Sequence, residues 1–138
     1  MTGLRHYLRV LEALVLLGLA RALRRWVPMR RWARILGPTG PATAGTAGTP
    51  TEPPASPVES RVSGAVERAS VRFDANCLEQ AVAGSLMLRV RRRPARVVIG
   101  LDTADPGAVP HAWLVGRSGA VVLGRDETGR YRPVSQFG

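Results

Sequence analysis

The 138-residue sequence contains no lysine and only one cysteine, Cys77. All 20 basic residues are therefore arginines, and against 10 acidic residues they give a formal net charge of +10. A single cysteine excludes an internal disulfide framework and suits a reducing compartment, so we expect the protein to be cytoplasmic. Because arginine binds carboxylates and phosphates in a bidentate manner, acidic partners are compatible with this composition.

Patterns for metal binding and membrane insertion are also missing. The sequence has no CxxC, no HExxH and no cluster of cysteine and histidine, so we expect no metal site and no other cofactor. The apolar run over residues 13–20 is far shorter than the ~20 residues that a membrane span needs. Glu12 precedes this run and arginines follow it, where a signal peptide would have its small-residue cleavage site. No signal peptide is therefore predicted.

Residues 1–36 are predicted to form basic amphipathic helices. Apolar residues recur there at intervals of three and four and make one stripe, and Pro28 separates a long helix from a short basic second piece. The segment contains eight arginines and one acidic residue, Glu12. We expect the stripe to pack against the rest of the chain or a partner protein, and peripheral membrane contact is the less favoured alternative. The stripe comprises Leu4, Leu8, Leu11, Val15, Leu19, Leu23 and Trp26.

Residues 37–57 have the composition of a linker. They are almost wholly glycine, proline, threonine, alanine and serine, with Glu52 as the one exception. Such residues cannot fill a hydrophobic core, so the segment is predicted to be flexible or polyproline-like. The chain is thereby divided into N-terminal helices (1–36), a linker (37–57) and one folded domain (58–138).

The folded domain is predicted to be α+β, with a small antiparallel sheet packed on a helix. The patterns predict the last strand at a sheet edge, because Pro133 would be tolerated there. Small residues on one face of the second helix would let a strand approach it closely. The predicted elements are helices at 58–71 and 77–90, strands at 96–101, 111–115, 120–123 and 131–134, and a hairpin turn at 116–119.

Cys77 is predicted to lie in the first turn of a helix. Asn76 is a good N-cap, and Glu79 stands three residues later, where its carboxylate would return to the N–H of the cap. The first turn carries unpaired N–H groups at the positive end of the helix dipole, which favours a thiolate over a thiol.

His111 begins the strand at 111–115, so the sequence offers a thiol at a helix start and an imidazole on a strand. These are the two parts of a cysteine–histidine nucleophile pair. The alternative is a small buried thiol and an unrelated histidine. The capping pattern and the position of the histidine favour catalysis.

Four sequence stretches stand in a distinctive order: residues 24–33 (RRWVPMRRWA), 77–83 (CLEQAVA), 91–100 (RRRPARVVIG) and 111–113 (HAW). This set resembles the transglutaminase-like cysteine peptidase of lasso-peptide biosynthesis, the stand-alone leader peptidase called the B protein. The resemblance implies a transglutaminase- or papain-like fold, with Cys77 and His111 as catalytic residues. It also implies three partners: a precursor peptide, a separate protein that recognises its leader, and an ATP-dependent cyclase that receives the core peptide.

The third catalytic residue is where the sequence departs from this family. Many members have an acidic residue four positions after the histidine, where this chain has Val115. Many also have an aspartate in the strand after the hairpin, and a turn centred on residues 117–118 would bring Gly124 opposite His111. Glycine has no side chain with which to orient an imidazole.

Asp126 is therefore the candidate third residue. It lies two positions beyond Gly124 on the same strand face, at a diagonal distance of roughly 7–8 Å from His111. The alternative is that Asp126 is a solvated turn residue. Asp102 and Asp105, in the loop before His111, are further candidates.

The sequence thus predicts a cysteine peptidase that removes the leader of a lasso-peptide precursor. The backbone N–H of Cys77 could donate to the oxyanion. Two alternatives stay open: an acyl transferase that shares the acyl-enzyme, and a non-enzymatic arginine-rich adaptor for acidic peptide or lipid. Nucleic acid is not expected as a partner, because the basic patch at residues 89–96 has no interleaved aromatic residues.

Overall fold

The computed structural model describes residues 2–28, 30, 31, 34, 39–41, 53–105, 107, 109–124 and 131–138. These residues form helices and one five-stranded antiparallel sheet in the order β1-β5-β2-β3-β4. The predicted α+β class is therefore confirmed. The elements are α1 (Thr2–Trp26), β1 (Thr39–Pro41), α2 (Pro57–Phe73), α3 (Cys77–Val90), β2 (Arg96–Asp102), β3 (His111–Val115), β4 (Val121–Leu123) and β5 (Tyr131–Phe137).

Helix α1 packs on α2 and α3, but through the face opposite the predicted one. Ala13, Leu17 and Ala20 are buried in the shared core. Val15 and Trp26 of the predicted stripe are 64% and 81% exposed. The stripe therefore does not pack against the described part of the chain, since of its seven members only Leu23 packs against the core, and its burial by a partner protein stays a prediction. The helix is apolar all round over residues 13–20, so its pattern could not select a face, and alanines on the buried side allow close packing.

Ion pairs hold the buried face of α1 in place. Glu12 accepts two hydrogen bonds from Arg91 at the end of α3, at 2.8 and 2.7 Å. The hydrogen bond to Glu12 raises the pKa of Arg91 above its usual value. Arg21 and Arg24 both reach the carboxylate of Glu79, the third residue of α3. Both ends of α3 are thus tied to α1.

Two strands differ from the sequence prediction. Thr39–Pro41, inside the predicted linker, pairs with β5, so β5 lies between β1 and β2 and is not an edge strand. Pro133 is tolerated there because β1 pairs only with residues 135–137, while Pro133 lies opposite Gly100 beside a register shift in β2. The division of the chain at residues 36 and 57 stays a prediction.

The second piece of the N-terminal helices lies mostly outside the described residues. Arg30, Arg31 and Arg34 are described, and they are helical and exposed. None of the described helices is long and apolar enough to cross a membrane.

The close approach of α3 to the sheet rests on Gly84. A Cβ built on this residue would lie 2.6 Å from Leu123 Cδ1 and 2.9 Å from Leu114 Cδ2. The predicted face of small residues is therefore confirmed, and it sets the distance between α3 and strands β3 and β4.

Glu59 connects the start of α2 to the β3–β4 hairpin. Its buried carboxylate accepts hydrogen bonds from Ser118 Oγ at 2.6 Å and from the N–H of Ser56 at 2.8 Å. Burial raises the pKa of Glu59, but hydrogen bonds from Ser118 and Ser56 outweigh it and hold the pKa below the usual 4.5.

Glu59→Gln should therefore lower the free energy of unfolding by about 1–2 kcal/mol at neutral pH. A carboxylate with a lowered native pKa stabilises the fold above its unfolded pKa, and that contribution is lost as the pH falls through the native value. The difference in free energy of unfolding between wild type and variant should accordingly shrink below about pH 4.5. Denaturant unfolding at several pH values measures it, with Glu67→Gln, an exposed position on the same helix, as control. A difference independent of pH would contradict this account.

Candidate active site

Cys77 is the first residue of α3, as predicted. Asn76 Oδ1 accepts the N–H of Glu79 at 2.8 Å, and Glu79 Oε2 accepts the N–H of Asn76 at 3.3 Å. This reciprocal capping box confirms the predicted helix start. Cys77 therefore lies at the positive end of the helix dipole.

Cys77 and His111, 34 positions apart in the sequence, line one cavity of about 340 Å³. Both side chains are half-buried. The backbone N–H of Ala112, the residue after His111, points to Cys77 Sγ at 3.4 Å. The sulfur therefore lies beside a backbone N–H donor and at a helix N-terminus.

The imidazole of His111 is oriented by backbone and aromatic neighbours. Its Nε2 hydrogen-bonds to the carbonyl oxygen of Gly124, and its ring lies 5.9 Å from Trp113 and 4.9 Å from Tyr131, centroid to centroid. Because a carbonyl can only accept, Nε2 donates the hydrogen. In the neutral ring Nδ1 is then the nitrogen that can accept a proton.

Gly124 occupies a position that no other residue fits without strain. Its φ is +76°, and an added Cβ would lie 2.6 Å from the carbonyl oxygen of Ala112. The predicted pairing of His111 with Gly124 would place Leu114 opposite Val121. In the structure Leu114 lies opposite Leu123, so the predicted register of β3 and β4 is two residues off there. The register shifts between Leu114 and Val115. Gly124 nevertheless contacts His111 through its backbone oxygen.

The aspartates proposed as partners of His111 divide into two groups. Asp126 lies outside the described residues, so its role stays a prediction. Asp102 and Asp105 organise the loop before β3: Asp102 Oδ1 accepts the N–H of Ala104 at 2.8 Å, and Asp105 Oδ1 accepts the N–H of Gly107 at 3.2 Å.

Arg24 is a cavity residue that the sequence analysis missed. It extends from α1 to line the cavity that contains Cys77, and its Nε donates to Glu79 Oε1 at 3.1 Å. Glu79 is only 1% exposed, and Arg21 and Arg24 compensate its buried charge. The link crosses 55 positions and depends on the docking of α1, so no local pattern could have indicated it.

The remaining cavity wall is mostly apolar. It consists of Leu78, Ile99, Val109, Pro110 and Ala112, with Asn76 beside Cys77. A cavity of this size and lining suits part of a peptide chain. Among the described residues, no group of histidine, cysteine and acidic side chains is arranged to hold a metal ion.

Comparison with known protein families gives a match over most of the chain. The family model described as "Transglutaminase-like superfamily" matches residues 14–136, a range that includes Cys77, His111 and most of α1. No curated protein and no solved structure matches the chain. The superfamily includes cysteine peptidases and acyltransferases. With most of its length matched, the chain belongs to the transglutaminase-like superfamily.

Proposed function

We propose that the protein is a cytoplasmic cysteine peptidase that removes the leader from a ribosomally made lasso-peptide precursor before macrolactam cyclisation. The observation that carries this proposal is the common cavity of Cys77, at a helix N-terminus, and His111, with its proton held on Nε2. The sequence resemblance supplies the substrate class. It also supplies the partners, a leader-recognition protein and the cyclase.

The proposed reaction proceeds through an acyl-enzyme. His111 takes the thiol proton, and the Cys77 thiolate attacks the scissile carbonyl carbon. The tetrahedral intermediate collapses as His111 protonates the leaving amine, and water then hydrolyses the thioester. The backbone N–H of Cys77 is the candidate oxyanion donor, and Arg24 adds positive charge to the cavity wall.

Asp126 and the carbonyl of Gly124 are the main candidates for the third position. Asp102 and Asp105, which hydrogen-bond the loop before β3, stay further candidates. The carbonyl supports the Nε2–H tautomer, the role that an aspartate has in many triads. A carbonyl cannot add the negative charge with which a carboxylate stabilises an imidazolium. Asp126 therefore remains part of the proposed catalytic set.

The test is to incubate the full chain with a candidate precursor, with and without its leader-recognition protein, and to identify products by mass spectrometry. We expect one cut, whose two products together weigh one water more than the precursor. A product carrying an added amine in place of water would favour acyl transfer. An intact precursor in both incubations would contradict the peptidase proposal and favour the adaptor.

The pairing of thiol and imidazole can be tested without a substrate. Iodoacetamide reacts with the thiolate, and a free thiol of pKa about 8.5 is only ~1% ionised at pH 6.5. Cys77 should react about tenfold or more faster than glutathione at this pH, and His111→Ala should remove the advantage. His6→Ala is the matched control, because His6 contacts Arg68 on the outer side of α1 and α2. Equal rates in wild type and His111→Ala would mean that the two side chains do not interact.

A further inference from the structure

Helix α1 carries an exposed apolar ridge on the face that points away from α2 and α3. Seven large side chains on this face are 46–81% exposed. They recur at intervals of one, three, four and seven residues and extend for roughly 33 Å along the helix at 1.5 Å per residue. The ridge comprises Leu4, Tyr7, Leu8, Leu11, Val15, Leu19 and Trp26. Exposed apolar surfaces of this length and continuity on a protein usually mark an interaction site.

Charge and aromatic placement indicate what covers the ridge. The aromatic members, Tyr7 and Trp26, stand towards its two ends, with leucines and a valine between them. Arg5 and Arg25 are exposed on the same helix, and its one acidic residue, Glu12, is paired with Arg91. Apolar residues, interfacial aromatics and flanking arginines form the surface of a helix that lies in the headgroup region of an anionic bilayer.

We propose that the protein binds anionic membrane surfaces through this ridge, with α1 parallel to the bilayer plane. The formal net charge of +10 attracts the chain to such a surface and opposes pairing of two ridges from two copies. Arg24 lies two positions before Trp26 and hence on the opposite side of the helix, where it lines the cavity. Membrane contact through the ridge would leave that cavity uncovered. This inference is independent of the reaction that the protein catalyses.

The test is sedimentation of the full chain with phosphatidylcholine vesicles that contain or lack phosphatidylglycerol. Binding to the anionic vesicles is expected, and it should weaken as salt is added. The double substitution Leu11→Gln and Val15→Gln should reduce the partition coefficient by about tenfold or more, because two inserted side chains are lost. Both positions are exposed, so the melting temperature should be unchanged.

Val71→Gln is the matched control, since Val71 is 85% exposed but lies on α2, outside the ridge. It should bind anionic vesicles as wild type does. Equal binding of wild type and the Leu11/Val15 variant, or no binding of wild type, would overturn the proposal. Wild type could instead form a dimer that does not bind vesicles. If the double substitution then makes the protein monomeric, the ridge is an interface with a second copy of the chain. Membrane binding would likewise be refuted if wild type does not bind vesicles but binds an acidic partner protein through Leu11 and Val15.

Discussion

Cys77→Ala is expected to abolish precursor cleavage and to leave the fold intact. Alanine cannot form the acyl-enzyme, so the rate should fall by about 10³-fold or more. The half-buried thiol fills little of the core, and the helix start is fixed by Asn76 and Glu79. Cleavage is followed by mass spectrometry, and the fold by thermal melting with circular dichroism.

Cys77→Ser provides the matched variant for this prediction. Serine keeps the size and a hydrogen-bonding atom, but it lacks the nucleophilicity of the thiolate at neutral pH. It should therefore be as inactive as Cys77→Ala and melt at nearly the same temperature as wild type. Retained cleavage in either variant would refute the peptidase mechanism. Loss of the fold in both variants would assign the cysteine a structural role.

Removal of residues 1–36 is expected to leave an aggregated or inactive protein even without lipid or partner. The truncation uncovers the faces of α2 and α3 against which Leu17 packs. It also removes Arg21 and Arg24, whose ion pairs with Glu79 tie the start of α3 to α1. Loss of a large core side chain such as Leu17 costs about 2–5 kcal/mol, which approaches the whole stability of a typical small domain. Solubility, unfolding and cleavage of the truncated chain measure the effect.

Two single substitutions in the full chain test whether the packing of α1 on α2 and α3 stabilises the fold. Leu17→Ala, at a position with no exposed surface, should lower the free energy of unfolding by about 2–5 kcal/mol. Leu11→Ala, at a position 57% exposed, should change it by less than about 0.5 kcal/mol. Denaturant unfolding compares them. A soluble, fully active fragment of residues 58–138, or equal stability of the two variants, would show that α1 is dispensable for the fold.

Local signals explain what the sequence predicted correctly. The start of α3 depends on Asn76 and Glu79, which lie within four residues of each other. The strand at His111–Val115 depends on its own β-branched and aromatic residues. Since these patterns are short-range, the position of Cys77 and the strand that carries His111 could be predicted from the sequence.

The errors arose where the partner of an element lies far along the chain. The buried face of α1 is selected by α2 and α3, because its own pattern is apolar on every side over residues 13–20. Thr39–Pro41 has the composition of a loop and becomes a strand only by pairing with β5. The position of Arg24 in the cavity wall could not be predicted either, because it depends on how α1 packs on α3, and the pattern of α1 does not fix its orientation.

The ion pairs of α1 also determine when this helix can dock during synthesis. Its partners Glu79 and Arg91 lie 55–79 positions later in the chain. The ribosome therefore releases α1 long before the residues that neutralise Arg21, Arg24 and Glu12 have been made. Until then both apolar sides of the helix face solvent, the buried face as well as the ridge. An amphipathic helix exposed in this way is prone to aggregate, and it stays exposed until the remainder of the core has been made.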